Sequence, residues 1–267
     1  MITSIHQPSF FPWLGLLDKI AKSEQFIFLD DVQANKAAYQ YRNIFYCNGE
    51  AKFLGLPVEY RLGVKLCDLH YKNDLWRQDH LNKLRNYYGK APFFSEIFPL
   101  VETLYHDKGG EEKPVDFIIH SMVFIFDLLG IKVLTKRSSE IGSPKTKGEL
   151  VLDLCQKTAT SVYLSGQGAK QYMDENILKE FQNKEIQIRW HHFKHPVYHQ
   201  NSKYSFLEGL SALDILFFEG IEQSKELFWS NIIQWKHVTF NRRNCTYFGF
   251  YGYKPFKCIE KDGRRKG

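Results

Sequence analysis

The sequence predicts an α/β fold, in which a mainly parallel sheet is flanked by helices and begins with a β-loop-α-β unit. Short apolar runs typical of strands alternate along the chain with longer segments in which apolar residues recur at helical spacing. Polar, glycine-containing segments follow several of these runs, as they do at the carboxyl ends of parallel strands. We therefore predict one α/β body over residues 1–235, with a helical insertion or small subdomain at about 70–130.

The opening segment of the chain contains the β-loop-α-β unit and a hairpin. The elements predicted there are a strand at 1–6, a helix at 14–23, a strand at 25–29 and a hairpin within 41–60. Gln7-Pro8 ends the first strand, since proline cannot continue the ladder. Asn48-Gly49 is a strong signal for the tight turn of a hairpin.

The rest of the body alternates helices with short strands. Predicted helices lie at 76–88, 115–129, 147–158, 169–181 and 207–218, and predicted strands at 132–136, 161–164 and 186–193. Glycines at 89, 130 and 220 mark helix ends, because glycine readily adopts the left-handed cap conformation. This alternation favours parallel strands joined by helical crossovers.

The composition indicates a globular protein of the reducing cytoplasm. The chain has 267 residues, 43% hydrophobic and 25% charged, which is enough to bury a core without disulfides. Its five cysteines are scattered and form no Cys-x-x-Cys pair. No basic leader stands at the N-terminus, and no apolar run approaches the roughly 18 residues that span a bilayer. We predict a cytoplasmic location and no transmembrane segment.

The positive charge is concentrated at the C-terminus. Residues 236–267 carry nine Lys and Arg against two acidic residues, a net of +7, so the total of +6 leaves about −1 for residues 1–235. One interpretation of this basic, aromatic-rich extension is a terminal segment that packs back through its aromatics, or a poorly ordered end. The other is a peripheral contact with anionic partners such as lipid-linked phosphates. Because the body is nearly neutral, we do not predict a nucleic-acid partner.

The loop after the first strand contains the first candidate site. His6 at a strand end is a candidate general acid or base, and we predict it to be catalytic, with Gln7 and Trp13 binding substrate. The helix that follows offers free N–H groups to a phosphate or carboxylate. A rigid, aromatic-packed turn with a hydrogen-bonded histidine is the alternative.

Two carboxylates directly after the second strand form the second candidate site. Asp30 and Asp31 can orient an amine, bond ribose hydroxyls or hold Mg²⁺, and we predict them to be catalytic, with Gln33 binding substrate. Adjacent acids after a strand are also ordinary helix or turn initiators.

The loop after the strand at 161–164 is the third candidate. Its glycines let the backbone approach a ligand closely, and its serine can donate to a phosphate or hydroxyl. The predicted substrate-binding residues there are Tyr163, Ser165, Gly166, Gly168 and Tyr172. The loop lacks the Lys-Ser/Thr of a P-loop, and Gly-x-Ser-x-Gly is absent, so Ser165 is not predicted to be a nucleophile.

Other polar residues complete the prediction. Arg42, a potential bidentate partner for phosphate, and its neighbour Asn43 precede the hairpin; with Gln200 they are predicted to bind substrate. The four histidines within 191–199 lack the His-Glu-x-x-His pattern, and successive strand residues face opposite sides of a sheet. We therefore predict no metal site.

The ordered set of segments resembles the WbqC-like family. The segments are IHQPSFFPWLGLLDKI, FIFLDDVQ, YRNI, LPVEY, a WxxxHLxxL helix with YYGKAPFF, YLSGQGAKQY, PVYHQ and LSALDILFFEG, which together span roughly residues 2–225. Phe218 stands where the family pattern leads us to expect Asn. The resemblance implies a bacterial protein of surface-polysaccharide biosynthesis, such as that of the lipopolysaccharide O-antigen, and a transferase acting on nucleotide-linked sugars.

The opening loop resembles, more distantly, the Pro-x-x-His-x-Gly-His loop of adenylate-forming and nucleotidyl-transferring proteins, although Leu16 stands in place of the last histidine. The expected reaction is N-acyl or aminoacyl transfer, forming an amide on a nucleotide-linked amino sugar. The identity of the cofactor is left open between ATP and an acyl or aminoacyl donor. A glycosyltransferase with Asp30-Asp31 as its metal ligands, and a non-catalytic assembly factor of a polysaccharide enzyme complex, are the alternatives.

Overall fold

The fold is described from a computed structural model, which covers residues 1–36, 39–107 and 113–233. The predicted extension at 236–267 lies outside these residues. The strands are β1 (Ile2–His6), β2 (Gln25–Phe28), β3 (Arg42–Cys47), β4 (Glu50–Gly55), β5 (Leu134–Arg137), β6 (Val162–Ser165) and β7 (Gln187–Trp190). The α-helices are α1 (Leu14–Ala21), α2 (Trp76–Tyr88), α3 (Phe94–His106), α4 (Pro114–Leu129), α5 (Ser138–Ile141), α6 (Lys147–Lys157), α7 (Glu175–Asn183) and α8 (Leu213–Ile233). Short 3₁₀ turns lie at Leu66–Asp68 and Gln167–Gln171.

The main sheet confirms the predicted α/β fold. It has five strands in the order β5-β2-β1-β6-β7, and all neighbouring pairs are parallel. The chain begins with β1, α1 and β2, as predicted. Strands β3 and β4 form a separate antiparallel hairpin, whose turn contains Asn48 and Gly49, both with positive φ. The Asn-Gly pair therefore supplies the backbone conformation that a two-residue turn requires.

The two faces of the sheet pack against different cores. On β2, Phe26 and Phe28 face one buried cluster and Ile27 faces the other, because successive strand side chains alternate. The larger cluster also contains α1, the hairpin and the helices at 76–129; the smaller contains apolar residues of α6 and α7. The segment predicted as a helical insertion thus shares its core with β2 and α1.

Helix boundaries differ from prediction where tertiary packing outweighs local signals. Helix α3 was not predicted as a separate element, although it lies within the predicted helical insertion; Pro99 lies inside it, and its buried apolar face stabilises it. The predicted helix at 169–181 is instead a 3₁₀ turn followed by α7, which starts where Asp174 accepts a hydrogen bond from the Ile177 amide at 2.9 Å. Helix α8 begins six residues later than expected and continues beyond Gly220, which kinks it with φ 72°.

Among the described residues, no helix is both long and apolar enough to cross a membrane.

Candidate functional site

The sheet has a topological switch point between β1 and β6. From β1 the chain moves to β2 and then β5 on one side, and it later places β6 and β7 on the other side. In open parallel sheets the loops that leave such neighbouring strands in opposite directions open a crevice at the carboxyl edge. Here the segments that follow His6 and Ser165 leave this switch point, and we call the region between them the crevice.

The loop after β1 is held rigidly by buried hydrogen bonds. Phe11 adopts a positive φ of 41°, a conformation that non-glycine residues rarely take. The Asn43 amide donates to the carbonyls of Phe10 and Phe11 at 3.0 and 2.7 Å. The side chain of Gln7 accepts from the Gln40 amide at 2.7 Å. Asn43 and Gln7, both predicted to bind substrate, therefore use these polar atoms to shape the loop.

His6 presents an imidazole at the mouth of the crevice. Its Nδ1 lies 2.7 Å from the carbonyl oxygen of Gln7, which favours the tautomer with the proton on Nδ1 and a free lone pair on Nε2. Although the residue is exposed, desolvation by the surrounding elements, with the nearby Lys19 charge, lowers the pKa of His6 to about 3. His6 is therefore uncharged near neutral pH.

Lys19 is buried between the ends of β1 and β6, and no acidic side chain of the described residues pairs with it. Its side chain extends from α1, and Nζ donates to the Ile5 carbonyl at 3.2 Å. A Cβ built on Gly166 would lie 3.9 Å from this Nζ, so the amine faces the first residue after β6. Lys19 is only 3% exposed, and this burial lowers its pKa to about 7.

A second buried cluster lies beside Lys19. Asp18 is 1% exposed, and its Oδ1 bonds Lys22 Nζ at 2.6 Å and His191 Nε2 at 2.5 Å. The amide of His191 donates to the Ser165 carbonyl at 2.7 Å, which places the histidine directly after β7 at the same sheet edge. The other ring nitrogen, Nδ1, has no hydrogen bond within the described part of the chain. A carboxylate that fixes one nitrogen of a histidine while leaving the other available is the usual arrangement for a proton acceptor.

The segment after β6 provides the opposite wall. Ser165 is fully buried, whereas Gly168 faces open space. Tyr163 stacks on Phe181 in the smaller core at 5.8 Å, and Tyr172 remains 39% exposed. Gly166 and Gly168 are thus the parts of this predicted loop that a ligand in the crevice reaches most easily.

Asp30 and Asp31 connect the ends of β2 and β5. Asp30 Oδ2 accepts from Arg137 Nε at 2.6 Å and from Ser139 Oγ at 2.9 Å, while Oδ1 accepts from the Ser139 amide at 2.9 Å and Ser138 Oγ at 3.2 Å. Asp31 accepts from Ser138 Oγ at 2.5 Å. The single proton of the Ser138 hydroxyl bonds only one of the two carboxylates at a time, but the bonds from Arg137 and Ser139 alone occupy both oxygens of the buried Asp30 carboxylate. The geometry therefore favours a role in joining two strands.

The remaining predicted binding residues occupy separate places. Trp13 is 39% exposed and packs edge-to-face on Phe193 at 5.4 Å, so it offers an aromatic surface near the start of α1. Arg42 lies over the Phe53 ring of the hairpin at 4.5 Å. Exposed Gln33 forms an isolated bridge with the segment before the first 3₁₀ turn.

Gln200 belongs to a buried polar cluster at the start of α8. Its amide donates to Asp214 Oδ2 at 2.7 Å and to the Leu207 carbonyl at 3.1 Å, and its Oε1 accepts from the Leu207 amide at 2.9 Å. Tyr198 donates to the same Asp214 oxygen at 2.6 Å. Burial raises the pKa of Asp214 to about 6 despite these bonds. The geometry therefore gives Gln200 a structural contribution.

The structure brings together His6 and the loop at Ser165 and Gly166, which were predicted as separate candidate sites, and adds three residues, Asp18, Lys19 and His191. Asp18 and Lys19 were missed because a helix of this composition is expected to turn its charged residues to solvent. Every residue from Leu14 to Ile20 is instead buried. Adjacent charges inside an otherwise apolar helix were the available signal. His191 was considered only as part of a histidine-rich segment.

Comparison with known proteins identifies similar sequences but no similar solved structure. The profile of the WbqC-like protein family matches residues 7–226. An uncharacterized protein, Rv1507c from Mycobacterium tuberculosis (strain ATCC 25618 / H37Rv), is 27% identical over 224 residues, covering 82% of this chain and 94% of that relative. No solved structure matches.

Among the described residues, no group of three or more His, Cys, Asp or Glu is arranged to hold a metal ion.

Proposed function

Because the chain belongs to the WbqC-like protein family, we propose that it is a cytoplasmic transferase of surface-polysaccharide biosynthesis that forms an amide on a nucleotide-linked amino sugar. The family match covers most of the chain. It includes α1, the loop after β6 and His191, whereas β1, which ends at His6, precedes its first residue. The observation that carries the proposal is the convergence of His6, Lys19 and the Asp18–His191 pair at one edge of the sheet. The scattered cysteines support a reducing compartment.

Amide formation requires a neutral amine, an activated acyl donor and a proton acceptor. The sugar nitrogen attacks the acyl carbon of a thioester or acyl phosphate, the new C–N bond replaces the bond to the thiolate or phosphate, and the nitrogen loses a proton. His191, held by Asp18, is the proposed acceptor of that proton. His6, uncharged at neutral pH, accepts a hydrogen bond from the amine through Nε2 and orients it.

The aromatic surface of Trp13 suits the sugar. Sugar rings present apolar C–H faces that pack on aromatic side chains, and the exposed indole lies at the end of the loop that starts at His6. A Cβ on Gly15 would come within 2.2 Å of the indole ring, so a glycine is needed for the indole to lie across the start of α1. This supports Trp13 as a preformed part of the site.

The test is direct observation of the product. Purified protein is incubated with a dTDP-linked 4-amino sugar, candidate acyl or amino acids, and either acyl-CoA or ATP, and products are read by mass spectrometry. We expect a product heavier by the acyl group, and a rate about 10²–10⁴-fold lower for His191→Gln, since positioned acid-base groups contribute that much. His191→Gln is suitable because glutamine retains an N–H for Asp18.

Two results would reject this function. Release of nucleoside diphosphate that depends on added metal would indicate glycosyl transfer, for which Asp30 offers no uncommitted oxygen in the structure. Normal polysaccharide in cells carrying both His6→Ala and His191→Gln would indicate a non-catalytic assembly factor.

A further inference from the structure

In the part of the chain that the structure describes, Lys19 has no counter-ion of the kind that a buried ammonium group requires. Moving an unpaired charge into a protein interior is costly, so buried lysines are generally paired with a carboxylate or are uncharged. Within the described residues, the recorded hydrogen bond of Lys19 Nζ is to the Ile5 carbonyl, and no carboxylate pairs with it. A carbonyl oxygen accepts one of the three ammonium protons and supplies no full negative charge.

The neighbouring charged groups do not compensate for this burial. Asp18, the nearest acid along α1, directs its bonded oxygen to Lys22 and His191. His6, which faces Lys19 from β1, is uncharged near neutral pH and bears no negative charge. Gly166, directly after β6, also faces Lys19 and contributes only backbone. Burial alone accounts for the lowered pKa of Lys19.

We propose that Lys19 is the counter-ion for a phosphate group of the nucleotide-linked sugar, and that this phosphate binds together with one proton taken up by the Lys19 amine. The inference rests on the proposed function for the choice of ligand. The amine lies between the ends of β1 and β6, where nucleotides bind in open parallel sheets, and Gly166 places no side chain against it.

Proton uptake follows from the two states of the amine. Without ligand, an amine with a pKa of about 7 is largely uncharged at pH 8. A bound phosphate supplies the missing negative charge and favours the ammonium form. Binding at pH 8 therefore draws about 0.9 proton from solution, and binding at pH 7 about 0.5, as a group with this pKa requires.

Isothermal titration calorimetry with UDP-glucose measures this uptake. Both phosphates of this probe are diesters that do not titrate near neutral pH, so the dependence of binding enthalpy on buffer ionisation enthalpy reports protons taken up by the protein. In parallel, NMR of protein labelled in its lysine side chains follows the Lys19 pKa with UDP-glucose or inorganic pyrophosphate. Because an uptake of about 0.9 proton at pH 8 requires an almost fully protonated amine in the complex, we expect the Lys19 pKa to rise by about two to three units.

Lys170→Met is the matched control for Lys19→Met. Lys170 is exposed in the 3₁₀ turn just after Gly166, and its Nζ lies over the Trp190 ring at 5.2 Å. Lys170→Met therefore removes one positive charge from the loop that contains Gly166. We expect Lys19→Met to weaken binding at least tenfold and abolish the proton uptake, and Lys170→Met to leave both nearly unchanged.

The proposal is overturned if neither phosphate probe moves the Lys19 pKa at millimolar concentration, or if the two variants weaken binding equally. Uridine and glucose, which lack phosphate, should produce no proton uptake; uptake with either one also contradicts it. Phosphate binding with proton uptake but no amide product would reject the proposed reaction and leave this subsite standing.

Discussion

The lowered pKa of Lys19 makes the free energy of unfolding increase with pH. In the unfolded chain the lysine pKa is 10.5, and in the folded protein burial lowers it to about 7. Between these values the unfolded chain binds more protons, so the free energy of unfolding rises with pH. At about 1.4 kcal/mol per pKa unit, Lys19 contributes an increase of roughly 2 kcal/mol between pH 7 and pH 9.

Lys19→Met isolates this contribution, because methionine fills similar space without a titrating group. Urea unfolding of both proteins at pH 7, 8 and 9 gives the difference in free energy of unfolding, in which the pH dependence of the other groups cancels. We expect that difference to move by about 2 kcal/mol in favour of the wild type as the pH rises. A difference that stays constant within about 0.5 kcal/mol would show that Lys19 keeps its charge in the folded protein, and our account of the crevice would be refuted.

Three further results are expected. Lys19→Met should raise the pKa of His6 above about 3, because the Lys19 charge contributes to its lowering; a histidine NMR titration that shows no rise would contradict the proximity of the two groups. Asp30→Ala should cost about 1.5–3 kcal/mol in denaturant unfolding, since it leaves the amide and hydroxyl of Ser139 without their acceptor while Arg137 keeps its ion pair with Asp116; a cost below about 1 kcal/mol would argue against the strand-joining role. Gln200→Leu should destabilise by about 1–3 kcal/mol while UDP-glucose affinity stays within twofold of wild type, and a selective loss of affinity would instead restore Gln200 as a binding residue.

The sheet was predictable because its strands carry strong local signals. β1 and β2 are short strands separated by a helix, and this arrangement favours a parallel pair. Asn48-Gly49 fixed the hairpin for a similar reason, since few sequences supply the required backbone conformation. Helix α3 escaped prediction because its stability comes from packing of its apolar face and not from local preference.

The candidate site was only partly predictable. Strand-end reasoning found His6 and the loop at Gly166, because position along a parallel strand determines which sheet edge a residue reaches. It could not show that Asn43 and Asp30 commit their polar atoms to neighbouring segments, since their partners lie far away in sequence. Nor could it find Lys19, because the sequence does not show that every residue from Leu14 to Ile20 of α1 is buried.

The most direct test of the proposed site is amide formation by matched lysine variants. Mass-spectrometric rates are compared for wild type, Lys19→Met and Lys170→Met at pH 8, with a dTDP-linked 4-amino sugar below saturation and an activated acyl donor. We predict a loss of at least tenfold for Lys19→Met and a rate within twofold of wild type for Lys170→Met, because only Lys19 faces the crevice between β1 and β6. A folded Lys19→Met variant that forms the product at the wild-type rate would contradict the location of the site.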